Sequence, residues 1–565
     1  MHKHWQYYGM DYIYSYDLLH CAAVANPVRH RKIIMKLPIL QVASSLLGCT
    51  VMSTYAAPEK PNVIVLYYDD MGYGDMGANA VSPHESLTPN LDKFATESMR
   101  FTAGHSADGV CTPSRYALIT GRYCWRTSLK WGVTGGYSKP LMEKDRFTIG
   151  QMFREQGYNT AMIGKWHVGM QFLSPDGKAV DLGNQEDVLA KNLIDFSKPL
   201  TCTPADHGFD YYFGTPASLD MPPYLWLENH QCLVKGAVIQ DDGSVDFTQA
   251  KPARNADLKE GHCPGGGRKG AYDPNFAPKD YLQIQAAKVQ QYLAEHAGSD
   301  KPFFIYIPMP APHTPWSLQA KFKGKAGFKY GDYVIQTDYY SGKIFDALED
   351  PNGDGDKADS VKGNTVGFVS SDNGPETMAQ SISLKNKHDA NGPFAVVKRD
   401  NGEGGTRVPF LIRWPNVVKA GSVSDHACWQ GDFLATMADY FDYDLGETKA
   451  PDTESFLPVL HGKPMPEKRR AGFIEHSSGG QFAIVDASGE WKLLDGTGGG
   501  GNARTWNADD RLSLKRGKKG GTPKQLFNLK MDPGERKNLL KKPNAEAQAK
   551  AKELMDALST IRSND

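Results

Sequence analysis

The chain has 565 residues, of which 40% are hydrophobic and 23% charged, so it carries enough apolar material for a large globular core. Its formal net charge of −1 excludes the global basic field that attracts nucleic acid or an anionic membrane surface. We therefore expect no nucleic-acid partner, and an anionic substrate needs positive charge concentrated at its site.

The N-terminus has two parts. Residues 1–34 are rich in His, Tyr and Arg and show no amphipathic period, so we interpret them as a mis-called extension. Residues 35–57 have a basic start, a short apolar core and a small-residue exit, which is typical of a secretory signal peptide. We expect a secreted or periplasmic protein, and we favour this over a lipoprotein anchor at Cys49 because Leu47 fits the lipoprotein box poorly. We expect no transmembrane segment, because no other apolar run is long enough to span a bilayer.

Strands and helices then alternate along the chain. Residues 62–68 form an apolar, β-branched run typical of a strand buried on both faces, and hence central in a mostly parallel sheet. Further strands are predicted at 161–163, 302–307 and 365–374, and helices from Thr88 onward and at 147–157, 281–296 and 333–349. Repeated strand–helix units predict an α/β fold with helices on both faces of the sheet.

Two regions depart from this alternation. Residues 170–280 are rich in Pro, Gly, Asp and Asn, and we expect them to be a substrate-covering insertion in a catalytic domain that spans 58–454. Residues 455–565 predict a C-terminal α+β subdomain, a small antiparallel sheet with a terminal helix. Its strands are predicted at 472–476, 482–485, 491–494 and 525–529, and its helix at 544–561.

Six cysteines follow the predicted signal peptide, at positions 111, 124, 202, 232, 263 and 428. Export permits disulfides. Cys202, Cys232 and Cys263 lie in one loop-rich region, where two of them are candidates for a pair. The pairing cannot be deduced from spacing alone.

Two pairs of polar residues follow predicted strands, Asp69–Asp70 after the first and Asp372–Asn373 after a later one. Open α/β sheets bind ligands at the carboxyl ends of their strands, so we expect the two pairs to lie at the same edge. Three carboxylates and an amide suit Ca²⁺ or Mg²⁺ rather than zinc. Either pair alone is better explained as a helix cap or a turn, but the two at equivalent strand ends favour a metal site.

Residues 111–115 read Cys-Thr-Pro-Ser-Arg and precede an apolar run that ends on a glycine. Thr112 as the cap and Pro113 at the first helical position predict a helix start. Cys111 would then lie at the positive end of the helix dipole, with Arg115 about one turn later, where an anion can be held beside a reactive side chain. A cysteine before a helix is more often a buried small residue, so the motif by itself leaves this role open.

Two further stretches supply basic residues. Lys165 and His167 stand two apart at the end of a predicted strand, so their side chains are expected to point the same way; a solvated turn is the alternative. His313 lies between two prolines after another predicted strand, which gives it a rigid presentation. A lone histidine in that position would more often be structural.

Together these motifs resemble those of the type I, formylglycine-dependent sulfatases and are arylsulfatase-like. Residues 111–115 match the first signature of that family, and residues 157–165 are similar to the second; the resemblance runs from about residue 60 to about residue 545. It implies an alkaline-phosphatase-like fold and hydrolysis of an aryl sulfate or a sulfated polysaccharide. It also implies that a formylglycine-generating enzyme converts Cys111 to formylglycine during maturation.

The resemblance implies a role for each candidate residue. One divalent cation, usually calcium, is bound beside the formylglycine by Asp69, Asp70, Cys111, Asp372 and Asn373. Charge on the sulfate oxygens is stabilised by Arg115, Lys165 and Lys398. His313 protonates the leaving alcohol, and His167 helps to remove the proton from the second hydroxyl of the aldehyde hydrate.

The assignment of Lys398 depends on its offset of five residues from Glu403, and Lys385 and Lys387 are competitors for the same role. We interpret Glu403 and Arg407 as a buried structural pair near the site. Two other functions stay open. One is a phosphodiesterase or phosphonate hydrolase on the same fold, which would need a second metal. The other is a catalytically silent protein that binds sulfated glycans with an unmodified cysteine.

Overall fold

The computed structural model describes residues 60–79, 86–467, 469–501 and 524–563. The predicted N-terminal extension, the signal peptide and Cys49 lie outside the described residues. The strands are β1 (Asn62–Asp69), β2 (Met99–Phe101), β3 (Gly104–His105), β4 (Asn159–Lys165), β5 (Tyr211–Thr215), β6 (Trp226–Glu228), β7 (Gln231–Val234), β8 (Val238–Ile239), β9 (Val245–Asp246), β10 (Lys251–Pro252), β11 (Lys259–His262), β12 (Lys269–Tyr272), β13 (Phe303–Pro312), β14 (Thr365–Ser371), β15 (Phe410–Arg413), β16 (Val423–Ser424), β17 (Cys428–Trp429), β18 (Gly472–His476), β19 (Phe482–Asp486), β20 (Trp491–Leu494) and β21 (Gln525–Asn528). The helices are α1 (Pro89–Thr96), α2 (Cys111–Thr120), α3 (Ile149–Glu155), α4 (Tyr281–His296), α5 (Lys329–Asp346), α6 (Thr377–Lys385), α7 (Glu403–Thr406), α8 (Asp432–Tyr440), α9 (Leu457–Leu460) and α10 (Ala545–Ser563).

A mixed sheet forms the frame of the molecule. Its strand order is β10-β7-β6-β5-β4-β13-β1-β14-β15-β2-β16. The five central strands, from β5 to β14, run parallel, whereas mostly antiparallel strands extend the sheet on either side. β1 lies in the middle, with Val63 opposite Phe304 of β13 and Val366 of β14. This confirms the prediction of a central strand in a large, mostly parallel sheet.

Helices cover both faces of this sheet, and the side chains of β1 pack against helices on each face. Its alternate residues Val63, Val65 and Tyr67 belong to the core under α2, α3 and α8. The residues between them, starting with Ile64, belong to the core under α1, α4 and α5. Because side chains of a strand alternate between faces, only a continuous apolar run can bury both sides. The predicted α/β layering is confirmed.

The region 170–280 is more regular than its composition predicts. Four of its strands, β5, β6, β7 and β10, extend the large sheet beyond β4. None of these four strands is predicted from the sequence. Short apolar runs such as 211–215 are too brief to stand out between Pro and Gly, yet they pair once β4 offers an edge. That the region covers a substrate stays a prediction.

The C-terminal part forms the predicted antiparallel sheet, β18-β19-β20-β21, with α10 after it. Its core residues, among them Leu493 and Leu558, share one apolar cluster with Ala117 of α2 and with Trp125. This sheet therefore packs behind the helix that begins at Cys111. The proposed division at residue 455 stays a prediction.

Helix α2 begins at Cys111, with Val110 in the capping position and Gly121 as a left-handed C-cap at φ 62°. Thr112 is therefore not the cap that the sequence predicts. Its hydroxyl lies 3.2 Å from the Thr134 hydroxyl instead, in a contact between distant segments. Arg115 lies one turn into the helix, as expected.

All six cysteines in the described residues are free. The prediction that two of Cys202, Cys232 and Cys263 pair is therefore wrong. Cys232 is buried in strand β7, whereas Cys263 lies in the other apolar core, so the fold holds these two thiols on different faces of the sheet. No helix in the described ranges combines the length and the apolar composition that crossing a membrane requires.

Candidate active site

Four oxygen-bearing residues meet at the carboxyl ends of β1 and β14. The two strands are parallel neighbours with Tyr68 opposite Ser371, so the residues that follow them arrive together. The Asp70 amide donates to Asp372 Oδ1 at 3.2 Å, and Asn373 Nδ2 donates to Asp70 Oδ1 at 2.8 Å. Asp69, the last residue of β1, is buried with them. The predicted proximity of these two pairs is thus observed.

Cys111 reaches this group from the N-terminus of α2. Its Sγ lies 3.2 Å from Asp69 Oδ1. One ligand atom from each of Asp69, Asp70, Cys111 and His313 lies within 4.8 Å of the others. The nucleophile position predicted from the sequence therefore adjoins the oxygen ligands.

The chemistry of these donors fits a hard divalent cation. Asp70 Oδ2 and Asn373 Oδ1 are buried and accept no hydrogen bond from any residue that the structure describes. Leaving a buried acceptor unsatisfied costs about 1–3 kcal/mol, and more for a charged group. Carboxylate and amide oxygens are the ligands that Ca²⁺ and Mg²⁺ prefer, so a cation here would satisfy both atoms.

Arg115 is fully buried against the same carboxylates. Its Nε and Nη2 donate to Asp372 Oδ2 at 3.0 and 2.8 Å, and Nη2 lies 3.7 Å from Asp69 Oδ1. The guanidinium also lies over the Tyr67 ring, 5.5 Å from its centroid. Burial alone lowers the pKa of Arg115, but Asp372 and Asp69 raise it above its usual value, so the side chain is charged.

Two lysines complete the positive charge. Lys165 Nζ, at the end of β4, lies 2.5 Å from Asp69 Oδ2, and Lys398 Nζ lies 2.6 Å from Asp70 Oδ1. Lys385 and Lys387, the competitors for the second position, are exposed. With Arg115, these lysines match the three carboxylates charge for charge. A divalent cation would leave the site net positive, as binding of an anionic ester requires.

The carboxylates have divergent acidities because they crowd together. Burial raises the pKa of Asp69, but Lys165, with His313 and Arg115, holds it well below its usual range. For Asp372, burial and then the Asp69 carboxylate raise the pKa to about 6. The pKa of the Cys111 thiol is raised well above its usual value by burial and then by Asp372 and Asp69. The thiol is therefore protonated and donates to Asp69.

His167 lies two residues beyond the end of β4, with a left-handed backbone at φ 60°. Strand alternation therefore does not extend to it, and the prediction that it points the same way as Lys165 loses its basis. Its Nε2 lies 3.0 Å from the Thr134 carbonyl, which only accepts, so Nε2 carries the proton. Burial, then Lys165 and Arg115, lowers its pKa well below the usual value. The neutral ring keeps a lone pair on Nδ1, which has no hydrogen-bond partner within the described ranges.

His313 follows β13 at the same edge of the sheet. Its Nδ1 lies 2.5 Å from the Thr314 carbonyl, and its Nε2 lies 3.8 Å from Asp70 Oδ2. The side chain is 9% exposed, which places it at the boundary between the buried cluster and solvent. The rigid presentation expected from its flanking prolines thus aims Nε2 toward the carboxylates.

Sequence reasoning missed two residues that hold this site. The Thr134 carbonyl fixes the tautomer of His167, while its hydroxyl contacts Thr112 at the start of α2. The Gln430 side chain accepts from the Tyr67 hydroxyl at 2.5 Å and donates to Ser370, which fixes the ring beneath Arg115. Neither lies in a motif, since both act across long sequence separations that no local spacing reveals.

The predicted pair of Glu403 and Arg407 is observed, with Arg407 Nη1 2.8 Å from Glu403 Oε2. It belongs to a second buried cluster, in which Lys492 lies 2.8 Å from Glu403 and 2.6 Å from Glu475. His105, Glu403 and Glu475 hold ligand atoms close enough for a metal. The Lys492 ammonium contacts both carboxylates and Arg407 pairs with Glu403, so two cations of the chain balance these two carboxylates.

The first cluster can bind a tetrahedral anion and act on it. It joins a nucleophile position, a set of hard oxygen ligands, three buried cations and two imidazoles, all predicted from the sequence. Cations held in a buried site stabilise developing negative charge, because they need no reorganisation as the reaction proceeds. The catalytic roles of the individual residues stay predictions.

Comparison with known proteins identifies the family. The family model described as Sulfatase matches residues 61–443. The N-acetylgalactosamine-6-O-sulfatase of Bacteroides thetaiotaomicron is 28% identical over 553 residues, covering 93% of this chain and 98% of the relative. Arylsulfatase A of Bos taurus is 29% identical over 489 residues, covering 86% of this chain and 84% of the relative.

A solved structure shows the same architecture. It is a Bacteroides thetaiotaomicron sulfatase from work on the metabolism of multiple glycosaminoglycans. It matches with a TM-score of 0.70 and 26% identity, covering 90% of this chain and all of the other. The alkaline-phosphatase-like fold is thereby confirmed. The matched family model spans most of the chain, so this protein belongs to the sulfatase family and is a sulfuric ester hydrolase.

Proposed function

We propose that this enzyme removes sulfate from sulfated glycans, using a formylglycine made from Cys111 and one divalent cation, calcium or magnesium. The observation that carries the proposal is the convergence of Cys111 Sγ with the ligand atoms of Asp69, Asp70 and His313 within 4.8 Å. Support for a glycan substrate comes from the relative named N-acetylgalactosamine-6-O-sulfatase, which this chain matches over nearly the full length of both. The likeness to arylsulfatase A keeps aryl sulfates as test substrates.

Asp69, Asp70, Asp372 and Asn373 would hold the cation, with the residue at position 111 beside it. Support comes from the unsatisfied oxygens of Asp70 and Asn373 and from the hard-ligand character of the set. The cation would supply Lewis acidity toward an oxygen of the ester.

Hydration of the aldehyde at residue 111 would give a geminal diol. One hydroxyl, activated by Asp372 as proton acceptor, would attack sulfur and displace the alcohol. Loss of the proton of the second hydroxyl would then break the carbon–oxygen bond to sulfate and restore the aldehyde, without attack by water at sulfur. The environment of the cysteine supports the modification. The buried thiol is protonated, and a protonated thiol is a poor nucleophile.

The cations of the chain would bind the sulfate oxygens. Arg115 is fixed by Asp372, whereas Lys165 and Lys398 each contact one metal-ligand carboxylate through flexible side chains. A guanidinium held in place is preorganised, and buried charge of this kind supplies most of the rate enhancement in many enzymes.

The two histidines would move protons. His313, at the solvent boundary, would protonate the oxygen of the leaving alcohol as the sulfur–oxygen bond breaks. His167, neutral and with an unprotonated Nδ1, would accept the proton of the second hydroxyl. The positions of the rings support these roles, since His313 lies at the solvent boundary and His167 Nδ1 has no hydrogen-bond partner among the described residues.

We also propose that residues 35–57 direct the protein out of the cytoplasm, into the periplasm or the medium. Export fits a substrate as large as a sulfated polysaccharide. N-terminal sequencing of the native protein tests this, and a mature chain that retains residues 1–57 would contradict it.

Mass spectrometry of the peptide that spans Cys111 tests the proposed function most directly. We expect the mass of formylglycine in protein from the native host, together with release of sulfate from sulfated oligosaccharides. Chelation should abolish turnover, and calcium or magnesium should restore it. An unmodified thiol in a protein that binds sulfated glycans without turnover would contradict the proposal. Preference for a phosphate ester of the same alcohol, with two metal ions per chain, would indicate a phosphodiesterase.

A further inference from the structure

Three backbone hydrogen bonds join four distant loops beside Cys111. The Gly132 amide donates to the Ser478 carbonyl at 3.1 Å, the Ser478 amide to the Arg399 carbonyl at 2.9 Å, and the Arg399 amide to the Gly109 carbonyl at 2.6 Å. Gly109 lies two residues before Cys111. We call the surface carried by these loops the rim, and define it by Trp131, Glu376, Arg399 and Ser478.

Trp131 is the apolar part of the rim. Its side chain is 70% exposed, although the backbone on its C-terminal side is anchored, at Gly132 and again at Thr134 beside the start of α2. Gly132 has φ 75°, a conformation that favours glycine and turns the chain out at this point. Single exposed apolar residues are common on protein surfaces; what distinguishes Trp131 is its place on a loop that is anchored beside the start of α2. The flat face of an indole packs well against the C–H face of a sugar ring.

Arg399 is the charged part of the rim. It has φ 83°, a conformation that a non-glycine residue rarely adopts, and its backbone is held on both sides by the bonds described above. Its Nη1 donates to Glu376 Oε1 at 2.7 Å, and its side chain is 38% exposed. Glu376 is itself fixed, because it caps α6 through the Thr377 amide at 3.0 Å. The neighbouring Lys398 points inward to Asp70. Lys398 therefore belongs to the buried cluster, and the adjacent Arg399 belongs to the rim.

We propose that the rim is a subsite for the sugar next to the sulfated one. The Trp131 indole packs against the ring of that sugar, and the Arg399 guanidinium binds an anionic group on it, either a carboxylate or a second sulfate. This rests on the proposed function, which supplies a sulfated glycan at Cys111. Continuity with the active site, through the backbone bond of Arg399 to Gly109 and through the neighbouring Lys398, favours this occupant over a protein partner.

The test compares two substrates in the active holoenzyme. A sulfated oligosaccharide reaches the rim, whereas nitrophenyl sulfate is too small to do so. Trp131→Ala should lower kcat/KM for the oligosaccharide about tenfold, mainly through KM, since an aromatic contact of this size contributes about that factor. For nitrophenyl sulfate the change should stay within about twofold. Met531→Ala, at a side chain 81% exposed, is the matched control and should change neither substrate.

Arg399→Gln removes the charge and Arg399→Lys keeps it. We expect about a tenfold loss of kcat/KM for the anionic oligosaccharide in the first variant and partial retention in the second, because a charge-assisted hydrogen bond is lost. A carboxyl-reduced oligosaccharide that shows no difference between wild type and Arg399→Gln identifies the carboxylate as the bound group. A persistent loss with that ligand identifies a second sulfate. Arg254→Gln, at an exposed arginine paired with Asp257, is the matched control.

Two outcomes overturn the rim proposal. One is an equal loss on both substrates in the Trp131 and Arg399 variants, which would mean that these residues only support the fold. The other is a change in sedimentation of Trp131→Ala, which would assign the face to an interface between copies of the chain. Titration of Cys111→Ala protein with the oligosaccharide separates this from failure of the proposed function. Binding that weakens on adding Trp131→Ala would support the rim. The sulfatase chemistry is tested separately, in protein that keeps Cys111, where the absence of turnover of any sulfate ester would contradict it.

Discussion

Two buried ionic clusters in this molecule have similar composition but differ in how their cations are distributed among the carboxylates. The cluster at Cys111 holds three carboxylates and three cations around oxygens that accept no hydrogen bond from the described residues. The cluster at Lys492 holds the carboxylates of Glu403, Glu475 and Glu535, and Lys492 lies 2.8, 2.6 and 3.6 Å from them. Buried carboxylate oxygens without a hydrogen bond from the described residues occur in both clusters, Asp70 Oδ2 in the first and Glu475 Oε1 in the second. The clusters differ in their cations, because each carboxylate of the first has its own, whereas one lysine is shared by the three glutamates of the second.

The difference shows that buried charge alone does not identify a functional site. Both clusters hold carboxylates and a histidine close enough to ligate a metal. Only the first combines them with an asparagine oxygen, a nucleophile position at a helix N-terminus and an opening to solvent at His313. The second joins strands of the C-terminal sheet to α7, so its role is cohesion.

Removal of the nucleophile should have the largest effect of the changes considered. Cys111→Ala deletes the group that we propose is converted to formylglycine, and we expect turnover of sulfate esters to fall by at least about 10³-fold. The fold and the binding of calcium should stay nearly intact, because the oxygen ligands remain. Sulfate release and metal content measure the two effects.

Cys202→Ala is the matched control, since it removes a thiol outside the site. It should leave turnover unchanged. Retained activity in Cys111→Ala would refute the assignment of the nucleophile, whereas loss of the metal together with activity would mean that the cysteine position supports the ligand set.

The structural cluster makes the opposite prediction. Lys492→Met leaves Glu403 and Glu475 buried without their common cation, and breaking a buried ion pair in this way costs about 3–5 kcal/mol of the free energy of unfolding. Denaturant unfolding measures this loss. Lys552→Met, at a lysine 82% exposed, is the control and should change stability little. A stability loss no larger than that of the control would show that the cluster contributes nothing to cohesion.

The sequence predicts the site better than it predicts the sheet. Asp69, Asp70, Asp372 and Asn373 are identifiable because each pair follows an apolar run, and parallel strands deliver such residues to one edge. Lys398 is harder to find, since its position depends on a loop conformation that spacing does not encode. Thr134 and Gln430 leave no trace, because each acts on a partner far away in the chain.

Errors of prediction arise where tertiary contacts decide the outcome. Thr112 has the side chain of a helix cap, but the helix begins at Cys111 and its hydroxyl contacts Thr134. The strands β5 to β7 are too short and too interrupted to predict, yet the edge of β4 supplies their partners. The cysteines of this region lie in one stretch of sequence but do not pair in space.

His313 offers a finer test of the first cluster. If it protonates the leaving alcohol, His313→Ala should lower kcat about 10²-fold for sulfated sugars, whose alcohols leave poorly. The loss should be much smaller for nitrophenyl sulfate, since a phenolate with a nitro group leaves without protonation. His230→Ala, at an exposed histidine paired with Asp206, is the control. An equal loss on both substrates would remove the general-acid role.

The smallest expected effect is a change in how the free energy of unfolding depends on pH through the Lys492 cluster. Burial, together with the Glu403 and Glu475 carboxylates, raises the pKa of Glu535 to about 8 against the lowering effect of Lys492. The folded state therefore holds this proton more tightly than the unfolded chain, in which the pKa of Glu is about 4.3. The resulting stability is fully present below the unfolded pKa and is lost as the pH rises through about 8.

Glu535→Gln replaces the protonated acid with a neutral group of the same shape, so it should reduce the loss of stability between about pH 5 and about pH 9. Other groups titrate in this range, and the informative quantity is therefore the difference between wild type and variant in the denaturant midpoint at each pH. Glu553→Gln, at a glutamate 64% exposed, should follow the wild type throughout. A Glu535→Gln protein with an unchanged pH profile would show that the Lys492 cluster carries its full negative charge at neutral pH. The three glutamates of the Lys492 cluster would then all be charged around one shared lysine, whereas the cluster at Cys111 has one cation for each carboxylate.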